Sequence, residues 1–315
     1  MGAGADWAPT PSLATLRQRA AWLGRLRQFF HDRGIIEVDT PVLAAAGVTD
    51  PQVECLQEAV TGRWLQPSPE YAMKRLLAAG IGDCYQITPA FRAGEQGRWH
   101  NPEFTLLEWY RIDFSADALM DETERLVACI LGTGDTARLS YQSAFAAADL
   151  PDPLTAGTSQ LITAAAADPA ACPVPADLSR RDLLDWLFSQ VVMPRLPERC
   201  FITHYPADQA ILARLDPADP RVAERFELFL HGVEIANGFR ELTDPSVQRD
   251  RFEADRAARR MAGQAVMTID ERLLAAMAAG LPDCAGVALG LDRLFAVAIG
   301  AESLADVIAF PWSRV

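Results

Sequence analysis

Phe91 to Arg111 read FRAGEQGRWHNPEFTLLEWYR: two apolar, β-prone ends enclose a polar, glycine-containing loop, and the second end carries Glu108 among residues that favour burial. Side chains alternate along a strand, so Phe104, Leu106, Glu108 and Tyr110 share one face. In the preceding strand Gln86, Thr88, Ala90 and Arg92 share a face by the same count. If the two strands pair as a hairpin, an arginine, an aromatic ring, a glutamate and a tyrosine look into one concavity. A partly solvated sheet with an Arg–Glu pair satisfies this segment equally well.

Working outward, the 315 residues are half hydrophobic, with 29 Lys+Arg against 42 Asp+Glu and a net charge of -13. Such acidity disfavours a broad grip on a phosphate backbone, which needs a basic face, although a local basic patch remains compatible with it. The six cysteines are scattered, without a C-x-x-C, and read as free thiols. MGAGAD begins like a myristoylation site but places Asp6 where Ser or Thr is needed, and no apolar run reaches the ~18 residues of a membrane span. The expected location is the cytoplasm, with no membrane association.

The periodicity predicts a helix opening at LATLRQRAAWLGRLRQFF, from Leu13, with Leu16, Leu23, Leu26, Phe29 and Phe30 as its apolar stripe and Gly34 as its stop. A strand IIEVDTPVL follows, then a short helix in SPEYAMKRLLAAG with Ser68 as N-cap, Pro69 at its first position and Gly80 past its end. After the 84–111 strand pair, DALMDETERLVACILG and SRRDLLDWLFSQVV read as helices, CFITHYP as a strand, and RFELFLHGVEIANGFREL as a hairpin turning at His231 and Gly232. A helix with Arg and Glu comes next, then a last apolar strand and helix in GVALGLDRLFAVAIG. Residues 1–12 read as a tail and 150–180 as an insertion or loop with a short helix. No linker divides the chain, so one domain over 1–315 is expected.

Three further carboxylates, Glu227, Glu234 and Glu241, lie in a run apolar enough to be buried, and buried carboxylates need cations from protein, metal or ligand. Glu227 and Glu234 suit Mg2+, which takes a few carboxylates and leaves its other positions to water and phosphate oxygens. Two salt-bridged structural acids are the alternative, disfavoured because Lys and Arg are few nearby. Arg293 falls in the first turn of the last helix, where the dipole disfavours a cation unless an anion is near. Asp292 or a bound phosphate would serve.

In this order, IIEVDTPVL, FRAGEQGRWHNPEF and GVALGLDRLFAVAIG resemble motifs 1, 2 and 3 of the class II aminoacyl-tRNA synthetases, and HNPEFTLLEWY with EIANGFREL resembles the lysyl branch. The match runs from about Leu16 to Pro311. Lysyl-tRNA synthetases are expected to carry an N-terminal anticodon-binding domain, and this sequence starts at the catalytic domain. The resemblance is therefore to the stand-alone paralogue family that ligates (R)-β-lysine to a lysine side chain of elongation factor P, with SPEYAMKRLL and GFRELTD as supporting segments.

The resemblance implies an α+β fold, an antiparallel sheet flanked by helices, and a homodimer formed through the first helix and motif 1. It implies ATP and Mg2+, an aminoacyl-adenylate, elongation factor P as acceptor, and no stable tRNA binding. Arg92 and Arg293 become the catalytic cations, on the α-phosphate and near the γ-phosphate, with Phe104 stacked on adenine. Glu227 and Glu234 become the metal ligands, and Ile235 and Gly290 join the nucleotide site. Ser68, Glu70, Glu108, Tyr110, Asn237, Gly238, Glu241 and Ala288 line the amino-acid pocket. Motif 2 departs from the usual Phe-Arg-Asn-Glu: Ala93 and Gly94 follow Arg92, so Glu95 or the loop backbone must meet the adenine amino group, with His100 and Asn101 completing that side. Ala288, where lysyl-tRNA synthetases usually have Gly, is either a pocket wall favouring the β-amino acid or plain scaffold. A minimal lysyl-tRNA synthetase and a silent regulatory paralogue are the alternative functions. Intact Arg92, Arg293, Glu227 and Glu234 argue against silence.

Overall fold

Ser12 opens the first helix, α1 (Leu13–His31), by accepting the N–H of Thr15 at 3.0 Å. A computed structural model describes residues 7–167, 174–175 and 178–315. The Met1 to Asp6 start and, within the expected insertion, 168–173 (with Cys172) and 176–177 lie outside the described residues. The buried stripe of α1 is Trp22, Leu26, Phe29 and Phe30, while Leu16 and Leu23 are only half-buried. Aromatic packing recentres it: Trp22 meets Phe295 at 5.2 Å and Phe30 lies flat on Tyr85 at 4.1 Å.

The single strand expected over IIEVDTPVL is broken into β1 (Ile36–Glu37) and β2 (Leu43–Ala44). Pro41 has no N–H to continue a ladder, and the Thr40 hydroxyl turns to Gln86 Oε1 at 2.8 Å. β2 pairs instead with β3 (Trp64–Leu65). The helix α2 (Glu70–Ala78) starts one residue later than the sequence suggests, with Pro69 as N-cap, yet Ser68 still accepts the N–H of Glu70 at 3.0 Å. β4 (Cys84–Phe91) and β5 (Glu103–Ile112) form the expected hairpin, with Gln86 opposite Glu108, Thr88 opposite Leu106 and Ala90 opposite Phe104. α3 (Ala116–Leu131), capped by Ser115, follows.

Gly134–Leu242 is a compact unit of its own. It contains β6 (Ala137–Ser140), α4 (Tyr141–Ala147), α5 (Thr158–Ala167), α6 (Arg180–Leu187), β7 (Arg199–Pro206), β8 (Val222–Leu230) and β9 (Val233–Arg240). β6 runs parallel to β7, and β7, β8 and β9 are antiparallel neighbours. Its core stacks Tyr141 on Phe145 and Phe188, with Leu183, Leu187 and Ile202 buried around them. α6 gives way to a π-turn over Phe188–Val192. His231 (φ 51°) and Gly232 (φ 73°) close the β8–β9 hairpin in the left-handed conformation that two-residue hairpins require.

Met1–Thr133 and Thr243–Val315 form the other unit. The returning chain supplies α7 (Pro245–Met261), α8 (Glu271–Gly280), β10 (Cys284–Gly290) and α9 (Leu291–Ala298). Within this unit β1 is parallel to β4, and β4, β5 and β10 are antiparallel neighbours, placing Ala288 opposite Glu108 and Gly286 opposite Tyr110. On α9 the buried residues are Leu291, Asp292, Leu294, Phe295 and Ala296, whereas Ile299, just past its end, is 40% exposed. Strands and helices both contribute, so the fold is α+β. Among the described residues no helix is long and apolar enough to cross a membrane.

Candidate active site

In the first unit the site is built around Glu108, which is 2% exposed in the middle of β5. Its Oε2 accepts from the Ser68 hydroxyl at 2.6 Å and its Oε1 from the Tyr110 hydroxyl at 2.5 Å. Glu70, at the start of α2, accepts from the buried Lys74 ammonium at 2.7 Å. Burial first, then the negative charge of Glu70, push the Glu108 carboxyl up to about 7. The Ser68 and Tyr110 hydroxyls and the Lys74 charge pull the other way. Among the described residues no cation forms an ion pair with Glu108; both its oxygens rest on hydroxyls. Ala288 projects its methyl on the same face from the neighbouring strand.

Arg92 follows β4, its N–H bonded to Pro102 O at 2.9 Å and its guanidinium 5.2 Å from the centre of the Phe104 ring. Glu95 approaches it at 3.5 Å. The Arg92 Nε is buried without a hydrogen-bond acceptor among the described residues. Ala93 gives its N–H to Glu54 O at 2.8 Å and Gly94 takes φ 75°, so the residues that replace Asn-Glu serve the backbone path of the loop. Arg293 reaches that loop: its Nε donates to Trp99 O at 3.1 Å and its Nη2 lies 2.8 Å from His100 Nε2. Guanidinium only donates, so this ring nitrogen accepts and the imidazole is neutral in that contact.

Asp292, one candidate anion for Arg293, is engaged elsewhere: it pairs with Arg19 at 2.6 Å and accepts the N–H of Thr105 at 2.6 Å. Gly290 is the N-cap of α9. Both ends of the Asn101 amide meet backbone, Glu103 O at 2.6 Å and the N–H of Trp312 at 2.9 Å. Asn101 thus braces the C-terminal segment against the loop.

In the second unit Glu227 accepts from the Tyr205 hydroxyl at 2.6 Å and from the Arg225 guanidinium. Arg225 also donates to Asn237 Oδ1 at 3.1 Å and Gln209 O at 2.8 Å, and lies over the Tyr205 ring at 4.2 Å. The expectation that cations are scarce near Glu227 is therefore corrected: strand alternation puts Arg225 beside it, and burial forces the two together. Burial lifts the Glu227 carboxyl to about 7; Arg225 opposes the rise and the negative charge of Glu234 adds to it. Asn237 stands opposite Glu227 and Gly238 opposite Phe226, Ile235 is buried, and Glu241 is 1% exposed beside Ala213. Among the described residues no three His, Cys, Asp or Glu side chains gather to hold a metal. Glu227 and Glu234, half-buried and mutually repelling, still form a hard-oxygen donor pair that fits a divalent cation keeping water or phosphate at its other positions.

Sequence reasoning had missed Lys74 and Arg225. Lys74 was legible as the i+4 partner of Glu70 on a helix, and Arg225 as the residue two before Glu227 on a strand.

The profile of the class II tRNA synthetases (D, K and N) matches residues 6–314. A Vibrio cholerae serotype O1 protein named "Elongation factor P--(R)-beta-lysine ligase" is 44% identical over 319 residues, 98% of each chain. Proteins of the same name from Salmonella dublin and Salmonella agona are 46% identical over 320 residues, again 98% of each chain. With that coverage, and with motif 2 and motif 3 residues joined through Arg293, Trp99 and His100, the chain belongs to the class II tRNA synthetase family of the D, K and N type.

Proposed function

We propose that this chain is an ATP-dependent ligase that activates (R)-β-lysine as an aminoacyl-adenylate and transfers it to a lysine side chain of elongation factor P. The observation that carries the amino-acid half is Glu108, a buried carboxylate resting on two hydroxyls where a substrate ammonium would supply the missing countercharge. Ser68 and Tyr110 orient it, with the charge of Glu70 acting on it, and the family resemblance assigns Glu241, Asn237 and Gly238 to the same amino acid. Ala288 stands opposite Glu108, where one added methyl limits how close an ammonium on the adjoining carbon can come.

In the first step the substrate carboxylate attacks the α-phosphate of ATP and pyrophosphate leaves. Arg92, with its unsatisfied Nε, holds the α-phosphate, and Phe104, beneath the same guanidinium, stacks on the base. Arg293 steadies the distal phosphates, with Gly290 below it, and the family resemblance assigns Ile235 to the nucleotide as well. Glu95, His100 and Asn101 sit on the adenine side, Glu95 being the side-chain candidate for its amino group. Glu227 and Glu234 would hold Mg2+, which neutralises charge on the phosphate oxygens when bound. In the second step the neutral amine of the acceptor lysine attacks the adenylate carbonyl, an amide forms and AMP departs. An unperturbed lysine has a pKa of ~10.4, so this step also needs a proton acceptor, for which departing phosphate or water serves.

The whole chain acts as one catalytic domain, paired with a second copy through α1 and the segment after it, in the cytoplasm, without stable tRNA binding. The decisive experiment supplies labelled (R)-β-lysine and ATP to the purified protein with elongation factor P or bulk tRNA. Label on the factor supports the reading; label on tRNA alone overturns it in favour of a minimal lysyl-tRNA synthetase.

A further inference from the structure

Arg225, on β8 of the second unit, is 8% exposed, and each of its three guanidinium nitrogens has an acceptor. Nη2 donates to Glu227 Oε1 two residues along the same strand, Nε to Asn237 Oδ1 on β9 at 3.1 Å, and Nη1 to Gln209 O at 2.8 Å. The other Glu227 oxygen, Oε2, accepts from the Tyr205 hydroxyl at 2.6 Å. One donor thus sits on each carboxylate oxygen, and each oxygen keeps a lone pair for a further ligand. The charges of Glu234 and Asp185 act on Arg225 as well, Asp185 itself accepting from the Gln209 amide at 2.8 Å. A protein cation therefore rests directly on a carboxylate assigned to a metal cation.

We infer that Arg225 is a positioning residue that stands in for the metal: it holds Glu227 and Asn237 in place and keeps a divalent cation off Glu227 and Glu234 until nucleotide phosphates accompany it. The inference rests on the assignment, proposed above, of those two carboxylates to Mg2+. Affinity for a hard cation follows the number and charge of the oxygens around it. Among the described residues no third His, Cys, Asp or Glu joins the pair, and the guanidinium cancels one of its two negative charges. Arg225 also repels a divalent ion twice as strongly as it would a single charge at the same distance. Phosphate oxygens supply both the missing ligands and the missing charge. Without the guanidinium, Glu227 would lack a contacting countercharge in the nucleotide-free protein, a costly state for a carboxylate so little exposed. Because Asn237 faces Glu227 across the β8–β9 pair, one guanidinium fixes both side chains before any ligand arrives.

The test titrates Mn2+, which takes the same oxygen donors as Mg2+, into the protein without nucleotide and reads binding from water-proton relaxation. Arg225→Gln, which keeps a planar donor and loses the charge, should bind Mn2+ about 10-fold more tightly than wild type. Arg225→Lys, which keeps the charge, should stay as weak as wild type. Tyr205→Phe, which frees the other Glu227 oxygen without changing any charge, should not reproduce the gain, and adding Glu227→Gln to Arg225→Gln should abolish it. A variant damaged only in its fold would lose metal binding rather than gain it. Wild type alone carries a check that no folding defect can blur: α,β-methylene ATP should raise its Mn2+ affinity by about 10-fold or more. Equal Mn2+ affinity in wild type and folded Arg225→Gln, or a wild type indifferent to the nucleotide, overturns the role of Arg225. If Glu227→Gln alone leaves nucleotide-dependent Mn2+ binding intact, the metal assignment fails and the inference falls with it.

Discussion

Glu108 on β5, fully buried, and Glu227 on β8, largely buried, are strand carboxylates lifted to about 7, each holding a tyrosine hydroxyl, yet their remaining partners differ in kind. Glu227 has a guanidinium in contact, itself tied to Asn237 and to Gln209 O. Glu108 has a serine hydroxyl, while the nearby Lys74 is bound to Glu70. One charge is balanced within the protein, so the protein dictates its orientation. The other makes no ion pair among the described residues, the arrangement that the proposed ammonium pocket would use. Burial alone does not distinguish the two; the identity of the second partner does.

The largest effect should come from breaking the balanced site. Arg225→Leu leaves Glu227 buried without its cation and should cost about 3–5 kcal/mol of stability, read from denaturant unfolding. Glu108→Gln, which removes no internal ion pair, should unfold close to wild type. If the two variants lost stability equally, the distinction between the sites would fail.

Next, Glu108→Gln should weaken (R)-β-lysine use by about 2–5 kcal/mol while leaving the KM for ATP unchanged, and Glu241→Gln should act in the same direction. A selective loss of ATP affinity would move both residues out of the amino-acid pocket.

A smaller effect follows pH. The Glu108 acid is raised from 4.5 to about 7 in the folded chain, so between those values the folded state holds a proton that the unfolded chain has released. Stability should therefore fall as pH climbs from 4.5 to about 7, and Glu108→Gln should make that part of the profile shallower, leaving the share that Glu227 contributes. Amino-acid binding should run the opposite way, strengthening as pH rises through 7. Calorimetry in buffers of different ionisation enthalpy should show proton release on binding below that pH and none well above it. Equal release in Glu108→Gln would assign the proton to another group.

Smallest is Ala288→Gly. If the methyl opposite Glu108 selects the β-isomer, its removal should narrow the kcat/KM ratio of (R)-β-lysine to α-lysine in adenylation, an effect bounded by the ~10- to 200-fold that one carbon is worth. An unchanged ratio returns Ala288 to the scaffold.

Local patterns made much of this legible. Alternation in QITPAFR and FTLLEWY specified which faces meet, and the β4–β5 register pairs those faces as expected. His231-Gly232 marked its hairpin because so few residues tolerate two successive left-handed conformations. The prediction failed where a longer-range partner overruled the local pattern: Pro41 and the Thr40–Gln86 bond split one strand into β1 and β2, and Trp22 displaced Leu23 from the centre of α1 by packing on Phe295. α8 was missed because its small, alanine-rich turns carry a weak apolar stripe.

The sequence by itself determined the ordered motifs, the hairpins, the excess of acid and the presence of carboxylates in apolar strands, since each depends on residues a few positions apart. Only the tertiary structure decided which group neutralises which. Ser68 finds Glu108 across forty residues, and Asp292 is taken by Arg19 from near the other end of the chain rather than by its neighbour Arg293. A buried charge is satisfied by whatever donor the fold brings within about 3 Å, and the one-dimensional order of the residues carries no such distance.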